Sequence, residues 1–145
     1  MSSKAAAVGG GTQVLEFGIA GESYCIDIAY VEELVNMEDI TLMPNTPSHV
    51  EGVMDLRGRT TTIIDPRELL ELDAGGRKHR VIVFDPHETD DWGAIGWVVD
   101  EVYEVSRVGG EDVEDPHEID TSSVLGVVKR EDGYVVWLDP TRVGT

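Results

Sequence analysis

Three aspartates, Asp65, Asp100 and Asp139, each follow the apolar end of a predicted strand. Two carboxylates brought together can do general acid–base work. Asp65 and Asp139, however, precede Pro66 and Pro140, the pattern of a helix cap or turn. A small acidic hydrolase using Asp65 or Asp139 would also need a nucleophile. No G-x-S-x-G elbow is present, and Cys25 lies in an apolar run with no adjacent activating group. The histidines His49, His79, His87 and His117 form no HExxH and no i, i+4 pair. His87 and His117 each stand in Asp-Pro-His-Glu. Those tetrapeptides offer oxygen and nitrogen ligands, but one His with flanking acids reads better as a polar turn than as a metal site. Gly75-Gly76 and Gly109-Gly110 lack the Gly-Lys-Ser/Thr ending of a phosphate loop. The expectation is a binding protein with no catalytic residues, no cofactor and no metal.

The elements that would carry these residues are short strands. Leu15, Phe17 and Ile19 fall on one face of a strand, and Tyr24, Ile26 and Ile28 on one face of the next, with a turn at Gly21-Glu22. Ala29 to Val35 reads as a short helical turn or a further strand. Thr46-Pro47 predicts a helix start. Val53-Met54 and the β-branched run Thr60 to Ile64 predict strands. Asp65-Pro66-Arg67-Glu68 opens a short helix through Leu72, which Ala74-Gly75-Gly76 stops. Val81 to Phe84, Ile95 to Val99, Val124 to Val128 and Tyr134 to Leu138 are four further strands. Glu111 to Asp120 holds six acids and reads as an exposed loop. Residues 1–12 read as a flexible tail. The pattern predicts an all-β barrel or sandwich with few, short helices.

Two segments echo each other at an offset of 74. Gly52-Val53-Met54, Gly58 and Ile63-Ile64-Asp65-Pro66 match Gly126-Val127-Val128, Gly133 and Trp137-Leu138-Asp139-Pro140. A weaker match at 73 pairs Ile26-Asp27 and Tyr30 with Val99-Asp100 and Tyr103. The reading is two small barrels of similar design in one compact domain.

Composition narrows the partners. The chain has 145 residues, 41% hydrophobic, enough for one domain with a real core. Its formal net charge of −18 repels phosphate and argues against nucleic acid. No apolar run reaches 18 residues and no secretory stretch stands at the N-terminus, so direct membrane insertion is not expected and a cytoplasmic location is. A lone cysteine makes no internal disulfide. Molar salt screens charges beyond about 3 Å, so the charge suggests a high-salt cytoplasm; a solvated acidic face in ordinary salt is the other reading. Six of the 11 basic residues lie between Arg57 and Arg80, with four acids. This positive island fits an acidic partner or local neutralisation.

Five ordered motifs carry a family resemblance. They are Tyr24-Cys25-Ile26-Asp27-Ile28 with Val31-Glu32-Glu33, Ile40-Thr41 and Asn45-Thr46-Pro47; Gly52-Val53-Met54-Asp55-Leu56-Arg57-Gly58; Ile64-Asp65-Pro66-Arg67; Gly96-Trp97-Val98-Val99-Asp100-Glu101-Val102; and Gly126-Val127 with Val136-Trp137-Leu138-Asp139. Together they resemble CheW-type chemotaxis coupling proteins, from about Val14 to Val143. Asp55, Pro66 and Cys25 stand where the family pattern has Asn, Leu and Gly.

The resemblance implies two SH3-like five-stranded β-barrels packed together over residues 13–145. Their boundary is expected near 66–80, and the last strand either closes the second barrel or returns to the first. It implies a non-catalytic adaptor joining the cytoplasmic tip of a methyl-accepting chemoreceptor to the regulatory domain of a CheA-type histidine kinase, held at membrane-bound arrays only through these partners. A CheW-like scaffold of a non-motility sensory array is the alternative. Val31, Glu33, Gly52, Arg57 and Val105 match positions that affect receptor coupling in the family. Arg57 would pair with a carboxylate on an acidic receptor helix, and Val31 and Val105 would give it apolar contact. Core packing is the competing reading for both valines, and close backbone approach for Gly52. The kinase-binding face stays open.

Overall fold

The computed structural model describes residues 11–38, 40–72, 75–89, 93–115 and 122–143. Most of the predicted tail and His117 lie outside them. Among these residues eleven strands follow one another: β1 (Thr12–Ile19), β2 (Glu22–Asp27), β3 (Val31–Asn36), β4 (Val50–Leu56), β5 (Arg59–Ile64), β6 (Arg80–Phe84), β7 (Ile95–Val99), β8 (Glu101–Val108), β9 (Val113–Glu114), β10 (Val124–Arg130) and β11 (Gly133–Leu138). One helix, α1 (Pro66–Leu69), follows β5. The strands form two mixed sheets, ordered β3-β6-β7-β5-β4 and β8-β1-β2-β11-β10-β9. Each sheet curls into a small SH3-like barrel, called here the first and the second barrel.

The echo in the sequence is an echo in space. Strands β4 and β10 have the same order of buried and exposed positions, and so do β5 and β11. Both hairpins slip register at the same place, between Val50 and Gly52 and between Val124 and Gly126. Both end in an aspartate cap: Asp65 accepts from the Arg67 amide and Asp139 from the Thr141 amide. Thr41 bridges to Val53 as Glu114 pairs with Val127.

The barrels do not coincide with the halves of the sequence. The chain passes between sheets at Ile28–Tyr30 and at Asp100, whereas residues 66–80 join β5 to β6 of one sheet. The expected boundary near 66–80 therefore marks the junction of the sequence repeats, not a cut between barrels. The first barrel borrows β6 and β7 from the second repeat, and the second barrel borrows β1 and β2 from the first. The borrowed strands are joined by parallel pairing, β5 to β7 and β11 to β2. The last strand thus meets the first hairpin.

Burial explains the exchange. The borrowed strands are buried on both faces, and β6 is apolar on both in Val81-Ile82-Val83-Phe84, so they must lie between two layers. One face fills a barrel: Val81, Val83 and Val98 with Met54 and Ile63 in the first, Val14 and Cys25 with Val128 and Trp137 in the second. The other face forms the main core between the barrels, where Leu15, Phe17, Tyr24, Ile82, Phe84 and Trp97 meet. Trp97 packs edge-on against both Phe17 and Phe84, each contact contributing about 0.5–1.5 kcal/mol beyond area burial. In the second barrel, Glu16 ties β1 to β8 and β10 by accepting from Ser106 and Arg130.

Three local expectations change. Thr46-Pro47 starts a turn, not a helix: the Thr46 hydroxyl donates to the Met43 carbonyl and Val50 N–H to the Pro47 carbonyl. The helix after Asp65 lasts one turn, because Glu71 turns left-handed at φ 58°. Within 111–120 the described part is not all loop: a 3-10 turn at Gly110–Asp112 leads into β9.

Candidate functional site

Arg57 sits at the tip of the β4–β5 hairpin. The two-residue turn has positive φ at both central positions, the form that matches strand twist: 57° at Arg57 and 80° at Gly58. Asp55 holds the turn by accepting from the Gly58 amide at 2.9 Å. A carboxylate accepts this bond as readily as the Asn of the family pattern would. Asn, Asp or Gly enters the left-handed region at less cost than Arg. The turn at the same place in the second barrel carries Glu131 and Asp132, neither of them at positive φ. The fold thus requires a turn at this place but not a cation.

The Arg57 side chain is 82% exposed and its Nη2 lies 3.0 Å from Glu33 Oε1 on β3. Beside it, Arg59 Nη2 donates to Glu32 Oε1 at 2.6 Å. β3 and β4 are the two edges of the first sheet, so these pairs bridge its seam. The seam also holds a cleft of about 360 Å³ lined by Val35, Met54 and Leu56 with Asn36, Glu38 and Asp55.

The two valines occupy matching places. Val31 on edge strand β3 pairs with Phe84, and Val105 on edge strand β8 pairs with Leu15. Phe84 and Leu15 both belong to the core between the barrels, and antiparallel partners point to one side of a sheet. Each valine therefore lies at the rim of that inter-barrel layer. Val31 is half-buried and packed against the main core, whereas Val105 is 49% exposed.

Gly52 is different. It is buried, and a Cβ there would run into the Thr41 carbonyl oxygen and the Ile40 side chain. Gly126 meets Val113 and the Glu114 carbonyl in the same way. Gly52 thus lets a crossing strand approach, which is a role in folding. Exposed apolar side chains that the sequence did not suggest as site residues are Leu42, Met43, Tyr103 and Tyr134. Tyr103 stands two residues before Val105 in β8, a strand the periodicity did not reveal.

The acids first considered for chemistry are held by structure. Asp65 and Asp139 are caps, and Asp100 pairs with Arg67. His87 sits in a turn where its amide donates to Asp85. Among the described residues no cluster of three or more His, Cys, Asp or Glu is arranged to hold a metal. Burial, with Glu16 adding to it against Arg130, pushes the Cys25 thiol up to about 12, which leaves it protonated at neutral pH.

A family model, the CheW-like domain, matches residues 13–144. The chain belongs to the CheW-like family. This makes it a chemotaxis scaffold of all-β architecture. Chemotaxis protein CheW of Treponema pallidum is 29% identical over 134 residues, covering 88% of this chain and 78% of that one. The CheW of Thermotoga maritima is 26% identical over 139 residues, covering 90% and 86%. Among solved structures, the scaffolding protein TtCheW of Thermoanaerobacter tengcongensis superposes with a TM-score of 0.76 at 28% identity, covering 89% of each chain. No helix among the described residues of this CheW-like chain is long and apolar enough to cross a membrane.

Proposed function

We propose that this CheW-like chain is a non-catalytic adaptor that couples the cytoplasmic tip of a methyl-accepting chemoreceptor to the regulatory domain of a CheA-type histidine kinase, and that it works at high salt. The observation that carries the receptor half is Arg57: an exposed guanidinium on a turn that would be less strained without it, next to Glu33 and one edge strand from Val31. Guanidinium pairs bidentately with carboxylate, so an acidic receptor helix can share Arg57 with Glu33. Val31 and Val105, at the rims of the inter-barrel layer, offer that helix apolar contact. The family supports the kinase half, and the net charge of −18 supports the high-salt setting. Receptor conformation biases the kinase when both are bound through different faces.

A sedimentation titration in molar KCl with a soluble receptor-tip fragment and the kinase regulatory domain tests this reading. Simultaneous binding of both is expected; binding of neither by folded protein removes the coupling role. Screening at molar salt weakens exposed charge pairs. Val31→Asp should therefore damage tip binding more than Arg57→Ala, which sets register. The reverse order would show that charge dominates.

A further inference from the structure

Receptor-site candidates lie on both barrels: Glu33 and Arg57 on the first, Val105 on the second. Their relation depends on the angle between barrels, and one buried side chain spans that joint. Arg67 is 2% exposed. Its Nη1 lies 3.1 Å from Asp65 Oδ1, its Nε donates to the Gly75 carbonyl at 2.9 Å and its Nη2 to the Arg77 carbonyl at 3.0 Å. Nη2 also pairs with Asp100 Oδ1.

Asp100 is the residue at which the chain leaves β7 of the first barrel and enters β8 of the second. Its amide donates to the Gly18 carbonyl at 2.9 Å, and its Oδ2 accepts from the Ala20 amide at 3.2 Å. Gly18 and Ala20 belong to the second barrel's β1 and its turn. One carboxylate is thus gripped by the first barrel through Arg67 and by the second through Ala20. Room for it depends on Gly76, where a Cβ would strike the Asp100 carboxylate.

The second repeat lacks this arrangement. The counterpart of Arg67 is Thr141, which donates to Asp139, and the nearby Arg142 side chain is 60% exposed. The fold therefore forms this cap without a buried arginine. Burial of an ion pair is weak support for stability, and a joint held by charges suits a role in geometry.

We propose that Arg67, acting through Asp100, is a positioning residue for receptor binding. It touches no receptor atom. It fixes where β8 starts, and so sets Val105 against the Arg57–Glu33 edge of the first barrel. This rests on the receptor-coupling reading above.

The test is a double-mutant cycle on tip binding, with Asp100→Asn and the milder Arg67→Lys each combined with Val105→Ala, and thermal melts to establish folding. Each single clasp variant should bind about tenfold more weakly, a coupling of the size seen between interacting sites. Val105→Ala should then cost affinity in the native background and nothing further in either clasp variant. Residual dipolar couplings of the free proteins should show β8 amides reoriented against those of β4 and β5. A purely stabilising role predicts that Val105→Ala costs the same factor in every background, and that result overturns the proposal. Should the native protein bind no tip fragment, the receptor reading falls and the proposal with it, while unchanged dipolar couplings would separately show that the clasp sets no angle.

Discussion

Arg57 and Glu33 meet across the seam of the first barrel, Nη2 to Oε1 at 3.0 Å, although 24 positions separate them in the chain. The contact joins a strained turn to an edge strand. An exposed pair of this kind contributes about 0–1 kcal/mol to stability. Relieving a left-handed arginine returns about 1 kcal/mol. Arg57→Asn should thus leave the melting temperature unchanged or slightly higher while weakening receptor-tip binding. A clear loss of stability in a melt would show that the arginine is there for the fold.

Gly52→Ala and Gly126→Ala should both destabilise, each by about 1–3 kcal/mol, because a Cβ is forced against a crossing strand. Denaturant titrations of the two variants measure this. Tip affinity corrected for the folded fraction should be unchanged for Gly52→Ala. A selective binding defect in a stable Gly52→Ala protein would show that Gly52 also serves the docking surface.

Alkali should unfold the protein through its buried weak acids. The Cys25 thiol is raised from 9.0 to about 12, chiefly by burial. Tyr30 is raised from 10.0 to about 12, first by burial and then by Asp139, Asp27 and Glu88. Below about pH 8 both groups are neutral in the folded and unfolded chains. Above it the unfolded chain releases protons that the folded chain keeps, so stability falls as pH rises toward about 12. Urea midpoints between pH 8 and pH 11 should decline, and Cys25→Ala should flatten the first part of the decline. At neutral pH the thiol should react with a maleimide only as fast as the protein opens.

Salt should stabilise. With a net charge of −18 the folded chain repels itself, and at molar KCl charges farther apart than about 3 Å are largely screened. The melting temperature should rise from low to molar KCl. A flat response would remove the high-salt assignment.

The strands of the β4–β5 and β10–β11 hairpins were legible because β-branched and aromatic residues suit a pleated, partly buried surface, and such residues fill Thr60 to Ile64 and most of Tyr134 to Leu138. The Asp-Pro caps were legible for a local reason as well, since a cap needs only its own next residues. Strand β8 was not. A bulge opposite Glu16 and Phe17 puts Val102 and Val105 on one face three residues apart, while Val108 faces the core of the second barrel, so no alternation is left to read. The Thr46-Pro47 helix failed because the same two residues also suit a turn, and only the Met43 and Val50 partners decide between them.

What the sequence determined by itself was the all-β class, the duplication and the ordered motifs, because each is written in local spacing. The tertiary structure alone decided which repeat supplies which strand, that Gly52 serves a crossing chain, that Arg57 finds Glu33 and that Arg67 finds Asp100. Those partners lie 24 and 33 residues apart in the chain or in different repeats. No local pattern encodes them, because they are chosen by which apolar faces can be buried together.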